Sequence, residues 1–460
     1  MKTFGTLKNI HLIGIGGIGM SGIAELLLNL GYSISGSDIR KTDVTKRLSE
    51  LGARIFFGHK AENSINADVV VYSSAVKNTN PEIIEAKERS IPVIPRAEML
   101  AELMRLKFGI AVAGAHGKTT TTNMIGSILT EGGLDPTVVI GGRLSQWGGS
   151  NLRLGNSDLL VAEADESDGS FLVLSPSMAV VTNIDYEHID FYQNMDNLRG
   201  TFTNFINKLP FYGRAIICLD DKEVQGLIPS LTKSYLTYGL NSQSDIRASE
   251  ISKEGLTTNF VVTCKNKTIG NVTISTPGSH NVLNALAAIG VGLELDISFK
   301  DIQEGLSNLG ALERRFEVKG EKNGVLFLDD YGHHPTEIVS TIETAKDCWP
   351  DRRLIVVFQP HRYTRTRDLY PRFVKSFNLV DLLVILPIYG AGEEPISGIN
   401  SDYLYRGIKS HGHKGVILFS EKEDAVSFLL REIRHGDLVL TLGAGDVYYV
   451  GLELLERMRR

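Results

Sequence analysis

The sequence predicts an α/β protein of three domains: an N-terminal Rossmann-like domain, a central P-loop ATPase-like domain and a C-terminal Rossmann-like domain. Three observations carry this. One apolar run near the N-terminus ends in Gly14-Ile-Gly16-Gly17-Ile18-Gly19, and a second ends in Gly114-Ala115-His116-Gly117-Lys118-Thr119-Thr120. From about Val318 onward, each apolar run ends in a cluster of polar residues. Strand–turn–helix repeats of this kind build parallel sheets. At 460 residues the chain exceeds one core, and about three domains is the expectation for that length. The expected limits are 1–105, 106–314 and 315–460.

Composition narrows the class. Hydrophobic residues make up 42% and charged residues 22%, with a net charge of −6 and no basic tail or stripe. That argues against nucleic acid as a partner. Three scattered cysteines, Cys218, Cys264 and Cys348, match no metal spacing and fit a reducing compartment. No uncharged apolar run approaches the ~18 residues of a spanning helix. A cytoplasmic enzyme without a membrane partner is expected.

In the first domain, residues 9–14 read as a strand, Met20 to Leu30 as a helix, and residues 32–38 as a second strand ending in an acid. Gly14 to Gly19 satisfies G-x-G-x-x-G, and Asp38 follows about 20 residues later, where a ribose hydroxyl is held. A dinucleotide fits, but another diphosphate ligand is favoured over it, because any diphosphate is held at a helix N-terminus. Arg54–Phe57 and Val69–Tyr72 are short strands. Ser73 and Ser74 follow the latter, either as ligand contacts or as turn caps. Residues 91–95, with prolines at both ends of the Val93-Ile94 pair, read as an edge strand leading to Arg96.

The central domain opens at the P-loop. The common pattern places a glycine six residues before the lysine. Here that position is Val112, so the loop is a shortened Gly-x-x-Gly-Lys-Thr. Lys118 would lie against the β/γ-phosphates and Thr119 would offer its hydroxyl to Mg²⁺. Residues 158–163 form a buried-strand pattern entering an acidic turn, Glu163-Ala-Asp165-Glu166-Ser-Asp168. A carboxylate at such a strand end is the usual second support for Mg²⁺. Residues 178–183 make another strand, leading to His188, an unusual Mg²⁺ ligand on softness grounds and, read alone, more often a structural histidine. Asn281 and Asn284 share one face of a helix, as ligand-binding amides or as caps.

In the third domain, strands are expected at 325–330, 354–358 and 382–386, with residues 437–446 closing the sheet. Asp330, His333, His361, Arg362 and Arg365 fall at strand ends along one rim. Arginines on a rim suit an anionic substrate. Zinc is disfavoured, since carboxylate and cysteine partners at ligand spacing are missing. One phosphate-transfer site, one diphosphate site and one anion-binding rim converging on a single phosphate suit a ligase that activates a carboxylate for attack by an amine.

At this point the chain resembles the cytoplasmic Mur ligases of bacterial peptidoglycan synthesis. The residues that carry the resemblance are Gly14 to Glu25, Gly114 to Thr120, Glu163 to Asp168, and Asn183 with His188. To these are added His280-Asn281-Val-Leu-Asn284, Arg314-Arg315-Phe316, Asp329 to Pro335, Phe358 to Arg365 and Gly443 to Asp446. They span nearly the whole chain in the family's order. The resemblance implies ATP and Mg²⁺, with Mn²⁺ as a substitute, and the small-molecule substrates UDP-N-acetylmuramate and L-alanine, on a monomer or dimer. It implies that Gly16, Gly17, Ile18, Gly19, Met20, Ser37, Asp38, Ser73, Ser74 and Arg96 meet the nucleotide sugar. Thr119, Glu163 and His188 become metal ligands. Gly114 to Thr120, Asn281, Asn284, Arg315 and Asp330 meet ATP. Tyr331, His333, His361, Arg362 and Arg365 surround the reacting carboxylate and the amino acid. Lys118, Glu163, His188, Arg315, Asp330 and His333 are the expected catalytic group.

Two departures stand out. Ala115 replaces the threonine of many relatives, which removes one hydroxyl from the loop. Between His188 and Asn207 there is no lysine to match the carbamylated lysine of several sibling ligases.

Overall fold

The computed structural model describes residues 4–458 except Ser74, 145–149 and Ala311. Ser74 therefore lies outside the described residues. The chain forms three sheets and divides into two compact units. The first comprises 1–250, 260–272 and 283–310, and the second comprises 251–259, 273–282 and 311–460.

The first sheet is parallel, built from β1 (Asn9–Ile13), β2 (Ser33–Asp38), β3 (Arg54–Phe57), β4 (Val69–Tyr72) and β5 (Val93–Pro95). Its order is β3-β2-β1-β4-β5. β5 is at the edge, as its prolines require, because a proline donates no ladder bond. The glycine turn leaves the carboxyl end of central β1 and enters the helix Ile18–Asn29.

The second sheet has ten strands. They are β6 (Phe108–Ala113), β7 (Thr137–Leu144), β8 (Ser150–Arg153), β9 (Leu159–Glu163), β10 (Met178–Val181), β11 (Arg214–Cys218), β12 (Ser234–Gly239), β13 (Ile246–Glu254), β14 (Thr257–Cys264) and β15 (Lys267–Ile274). The order is β15-β14-β13-β12-β11-β10-β6-β9-β7-β8. The P-loop strand β6 lies between β10 and β9, with Val112 beside Glu163. Its residues from Gly109 to Ala113 are all buried, as expected of a parallel strand covered on both faces. One apolar cluster runs from Ile10 and Leu12 through Met99 and Leu103 to Phe171, Phe202 and Phe205, so the first two sheets share a core.

The third sheet contains β16 (Glu317–Lys322), β17 (Val325–Asp330), β18 (Arg353–Phe358), β19 (Leu382–Ile385), β20 (Val416–Leu418) and β21 (Asp437–Leu442), in the order β16-β17-β21-β18-β19-β20. The two-residue alternation of β17 divides its side chains. Leu326 and Leu328 pack with Ile338 and Ile342, while Val325 and Phe327 pack with Val450 and Leu454. The expectation that residues 437–446 close the sheet is corrected: β21 is inserted between β17 and β18, and β16 and β20 hold the edges. Among the described residues no helix is long and apolar enough to cross a membrane.

Candidate functional site

In the first unit, two helix N-termini face open strand ends. The glycine turn consumes most of its own amides. Gly14 N and Ile15 N donate to Ser37 O, Gly17 N donates to Gly14 O, and Gly16 N donates to the Asp38 carboxylate at 2.9 Å. The helix that follows has no side-chain cap. Its first donors, Ile18 N and Gly19 N, have no acceptor within a helix by geometry. They are the amides left for an anion, while the Gly16 and Gly17 amides are already bonded within the turn. Asp38 is likewise a brace for Gly16, where a Cβ would come 2.8 Å from its Oδ2. Met20 is 1% exposed and its side chain packs in the core. Ser37 is fully buried, and its hydroxyl donates to Glu82 at 2.6 Å. Ser73 borders Gly14. The Arg96 guanidinium lies against Gly19, and its Nη2 is 3.7 Å from Asp165.

The P-loop is clamped from the neighbouring strand β10. Ala115 N donates to Asn183 O, His116 N donates to Asn183 Oδ1 at 2.8 Å, and Thr182 Oγ1 and Asn183 Nδ2 both donate to His116 O. His116 Nε2 sits 3.0 Å from Asp185. Gly114 has φ of +135° and would drive a Cβ into Thr182 Oγ1, so this position requires glycine. Gly117, at φ of +81°, starts the helix Lys118–Glu131 without a side-chain cap. Lys118 N, Thr119 N and Thr120 N then lack helical acceptors. Asn284 supports this turn. Its Oδ1 accepts from Thr121 and would meet a Cβ on Gly117 at 2.4 Å. Asn281, in contrast, bonds its own helix entry, from Nδ2 to Pro277 O at 2.7 Å.

Lys118 Nζ donates to Gly114 O at 2.5 Å and to both oxygens of Glu166 at 2.9 and 2.8 Å. Burial works against the ammonium, but the carboxylates of Glu166 and Asp165 outweigh it and push Lys118 up to about 12. Burial raises Glu166 to about 7 against the pull of Lys118. Glu163, beside the P-loop strand, accepts from Gly141 N at 2.6 Å. A Cβ on Gly141 would lie 2.8 Å from Glu163 Oε2, and one on Gly142 would lie 3.1 Å from Thr119 Cγ2. Two expected metal ligands, Thr119 and Glu163, thus border one side-chain-free stretch of β7. His188 has φ of +56° and stands beside Glu187, 3.9 Å from its carboxylate.

The second unit gathers its own cluster at the carboxyl ends of β17 and β18. The His333 ring lies 5.5 Å from Tyr331 and 5.4 Å from His361, and His361 stacks on Tyr389. His361 Nδ1 is 2.9 Å from Arg365 Nη1. The Arg362 backbone is strained at φ of +68°, and its Nε is buried with no hydrogen-bond partner among the described residues. Arg315 lies over the Tyr331 ring at 5.3 Å. Asp330 accepts from Phe316 N and Gly332 N, both at 2.8 Å. Burial pushes it up to about 6, with Arg315 pulling the other way. Arg314 is structural, bonding Asp329 and the carbonyls of Gly443 and Gly445.

Sequence reasoning left Asn183, Glu166, Gly141, Gly142 and Tyr389 without roles. Asn183 and the turn holding Glu166 already stood among the residues that carry the resemblance, and for Gly141 and Gly142 the signal was adjacent glycines within an apolar run, since a strand tolerates them where something must approach closely.

The fold and the first unit's site define a P-loop α/β protein that carries a second, Rossmann-like glycine turn. The Mur ligase family, catalytic domain, matches residues 9–108; the Mur ligase middle domain matches 112–292; and the Mur ligase, glutamate ligase domain, matches 314–445. The chain belongs to the Mur ligase family. It is 57% identical to the UDP-N-acetylmuramate–L-alanine ligase of Geotalea daltonii, over 99% of both chains, and 55% identical to that of Geobacter sulfurreducens, over 99% of this chain and 98% of the other. Among solved structures it is similar to the UDP-N-acetylmuramate–alanine ligase of Thermotoga maritima (28% identity, TM-score 0.82, covering 98% of this chain and 99% of that one). A murein peptide ligase of Psychrobacter arcticus is 26% identical with a TM-score of 0.72, covering 98% of both.

Proposed function

We propose that the protein joins L-alanine to the lactoyl carboxylate of UDP-N-acetylmuramate, with ATP converted to ADP and phosphate, in the cytoplasmic stage of peptidoglycan synthesis. The observation that carries this reading is a pair of uncapped helix N-termini within one compact unit. One follows the glycine turn and the other follows the P-loop, and Arg96 reaches from the first to the acidic turn of the second. The naming of full-length relatives supports the choice of substrates.

The hydroxyl of Thr119 and the carboxylate of Glu163 are hard oxygen donors that suit Mg²⁺ or Mn²⁺, and Gly141-Gly142 leaves both uncrowded. His188 completes the proposed set. A bound divalent ion neutralises phosphate charge and polarises the γ-phosphorus. The amides at 118–120 hold the phosphates. Lys118 exchanges Glu166 for phosphate oxygens and stabilises the charge that develops as the lactoyl carboxylate attacks the γ-phosphorus. ADP leaves, the free amine of alanine attacks the acyl phosphate, and phosphate departs. Ile18 and Gly19 hold the sugar-nucleotide diphosphate, with Arg96 beside it. Tyr331, His333, His361, Arg362 and Arg365 receive the amino acid, and Arg315 and Asp330 keep the roles the resemblance implies. The proposed domain limits remain 105/106 and 314/315.

The test is phosphate release with ATP, Mg²⁺ and UDP-N-acetylmuramate, offering either free L-alanine or the intact murein tripeptide. Release with alanine supports the reading. Release with the tripeptide alone transfers the activity to murein recycling, and release with neither removes it.

A further inference from the structure

Beneath the glycine turn lies a buried polar cluster that the proposed chemistry does not use. Glu82, in the first turn of the helix Pro81–Glu88, is 0% exposed. A buried carboxylate is costly unless its oxygens are filled, and here both are. Oε2 accepts from Ser37 Oγ at 2.6 Å, with His11 Nε2 at 3.4 Å and His59 Nδ1 at 3.6 Å. Oε1 accepts from Asn63 Nδ2 at 2.6 Å and from Lys60 N at 3.3 Å. Burial alone would raise Glu82, but the His11, Ser37 and Asn63 contacts outweigh it and hold it below the ordinary carboxylate range.

These partners come from β1, β2 and the segment after β3. Ser37 is the penultimate residue of β2, and its carbonyl takes Gly14 N and Ile15 N, so the hydroxyl bonded to Glu82 belongs to the residue that anchors the glycine turn. Ser37 Oγ also lies 3.1 Å from His59 Nδ1. The loop holding His59, Lys60 and Asn63 follows β3 and is tied to β2 by Gly58 N donating to Asp38 O. Asp38 in turn braces Gly16. His11 on β1 closes the network from the other side, with Nδ1 2.8 Å from Ser35 Oγ. Open α/β sheets bind ligands at this edge.

We propose that Glu82 is a positioning residue for the nucleotide-sugar site. One buried carboxylate sets the register of the β1, β2 and β3 ends and thereby the aim of the Ile18 and Gly19 amides. This rests on reading the Gly14–Gly19 turn as the nucleotide-sugar site. Glu82→Gln is nearly isosteric but places an amide N–H₂ among groups that themselves donate, so Ser37 and the His59 loop must rearrange.

The test measures UDP-N-acetylmuramate binding by calorimetry, and KM for each substrate, in the full chain, Glu82→Gln, Ser37→Ala and the double variant. Each single change should weaken nucleotide-sugar binding about tenfold and leave KM for ATP unmoved. The double variant should be no worse than the weaker single, since both remove one linkage. Unchanged binding in the singles, additive losses, or parallel shifts in KM for ATP overturn the proposal. Ser37→Ala deletes one buried hydroxyl and carries the test where Glu82→Gln fails to fold. If the unaltered protein does not bind the nucleotide sugar, the site assignment falls and the proposal with it.

Discussion

Lys118 and Glu166 form a two-pronged ion pair at the mouth of the P-loop, with both carboxylate oxygens within 2.9 Å of the ammonium. The lysine that should meet phosphate is therefore already aimed and neutralised. Removing it tests the P-loop directly. Lys118→Ala should cut ATP turnover by roughly 10²–10³-fold, the scale of losing one preorganised charge-stabilising donor. Nucleotide-sugar binding, measured by calorimetry, should persist.

Removing the partner has a different signature. Glu166→Gln leaves a half-buried ammonium short of charge, which costs on the order of 1–3 kcal/mol. The free protein should melt earlier. Saturating ATP with Mg²⁺ should narrow the gap to the unaltered protein, because phosphate oxygens replace the lost carboxylate. An equal gap with and without nucleotide would mean that Lys118 does not exchange partners.

Gly141→Ala places a methyl 2.8 Å from Glu163 Oε2. The Mg²⁺ concentration giving half-maximal turnover should rise about tenfold, equivalent to ~1.4 kcal/mol, as a magnesium titration of phosphate release would register. Gly142→Ala meets only a methyl carbon of Thr119, at 3.1 Å, and should act more weakly.

Arg365→Ala should raise KM for alanine while KM for ATP holds. A charge-assisted hydrogen bond to a carboxylate contributes roughly 1.5–3 kcal/mol, so a rise of about 10–100-fold is expected in initial-rate measurements.

Asp330 gives a pH dependence. Its native carboxyl holds a proton to about 6, against an ordinary value of 3.8. Between these values the folded state binds more protons than the unfolded state, so this residue's contribution falls as pH rises from about 4 to 6. The slope approaches ~1.4 kcal/mol per pH unit. Denaturation curves of the unaltered protein and Asp330→Asn across that window should show the difference only in the former.

Much of this architecture was legible in the residues. The P-loop, the glycine turn and β5 are each specified locally, by glycines at positive φ or by prolines that cannot donate. The place of Glu163 at the end of a buried strand beside the P-loop strand was legible in the apolar run that precedes it. Asn183 and Glu166 were not, because their value lies in contacts 67 and 48 residues away in sequence, to His116 and Lys118. The burial of the Met20 and Ser37 side chains was not legible for a related reason. They sit beside the correct turn, but facing inward is decided by packing on both sides of a parallel sheet.

The position of β21 sets an order of events during synthesis. The β17 and β18 strands do not pair with each other; each pairs with residues 437–442, more than a hundred positions downstream of β17. Such a sheet cannot zip up as it emerges from the ribosome, because its middle arrives last. A chain cut short by a few tens of residues should therefore lose this entire layer rather than an ornament at its margin, leaving apolar strand edges for proteases and chaperones to find.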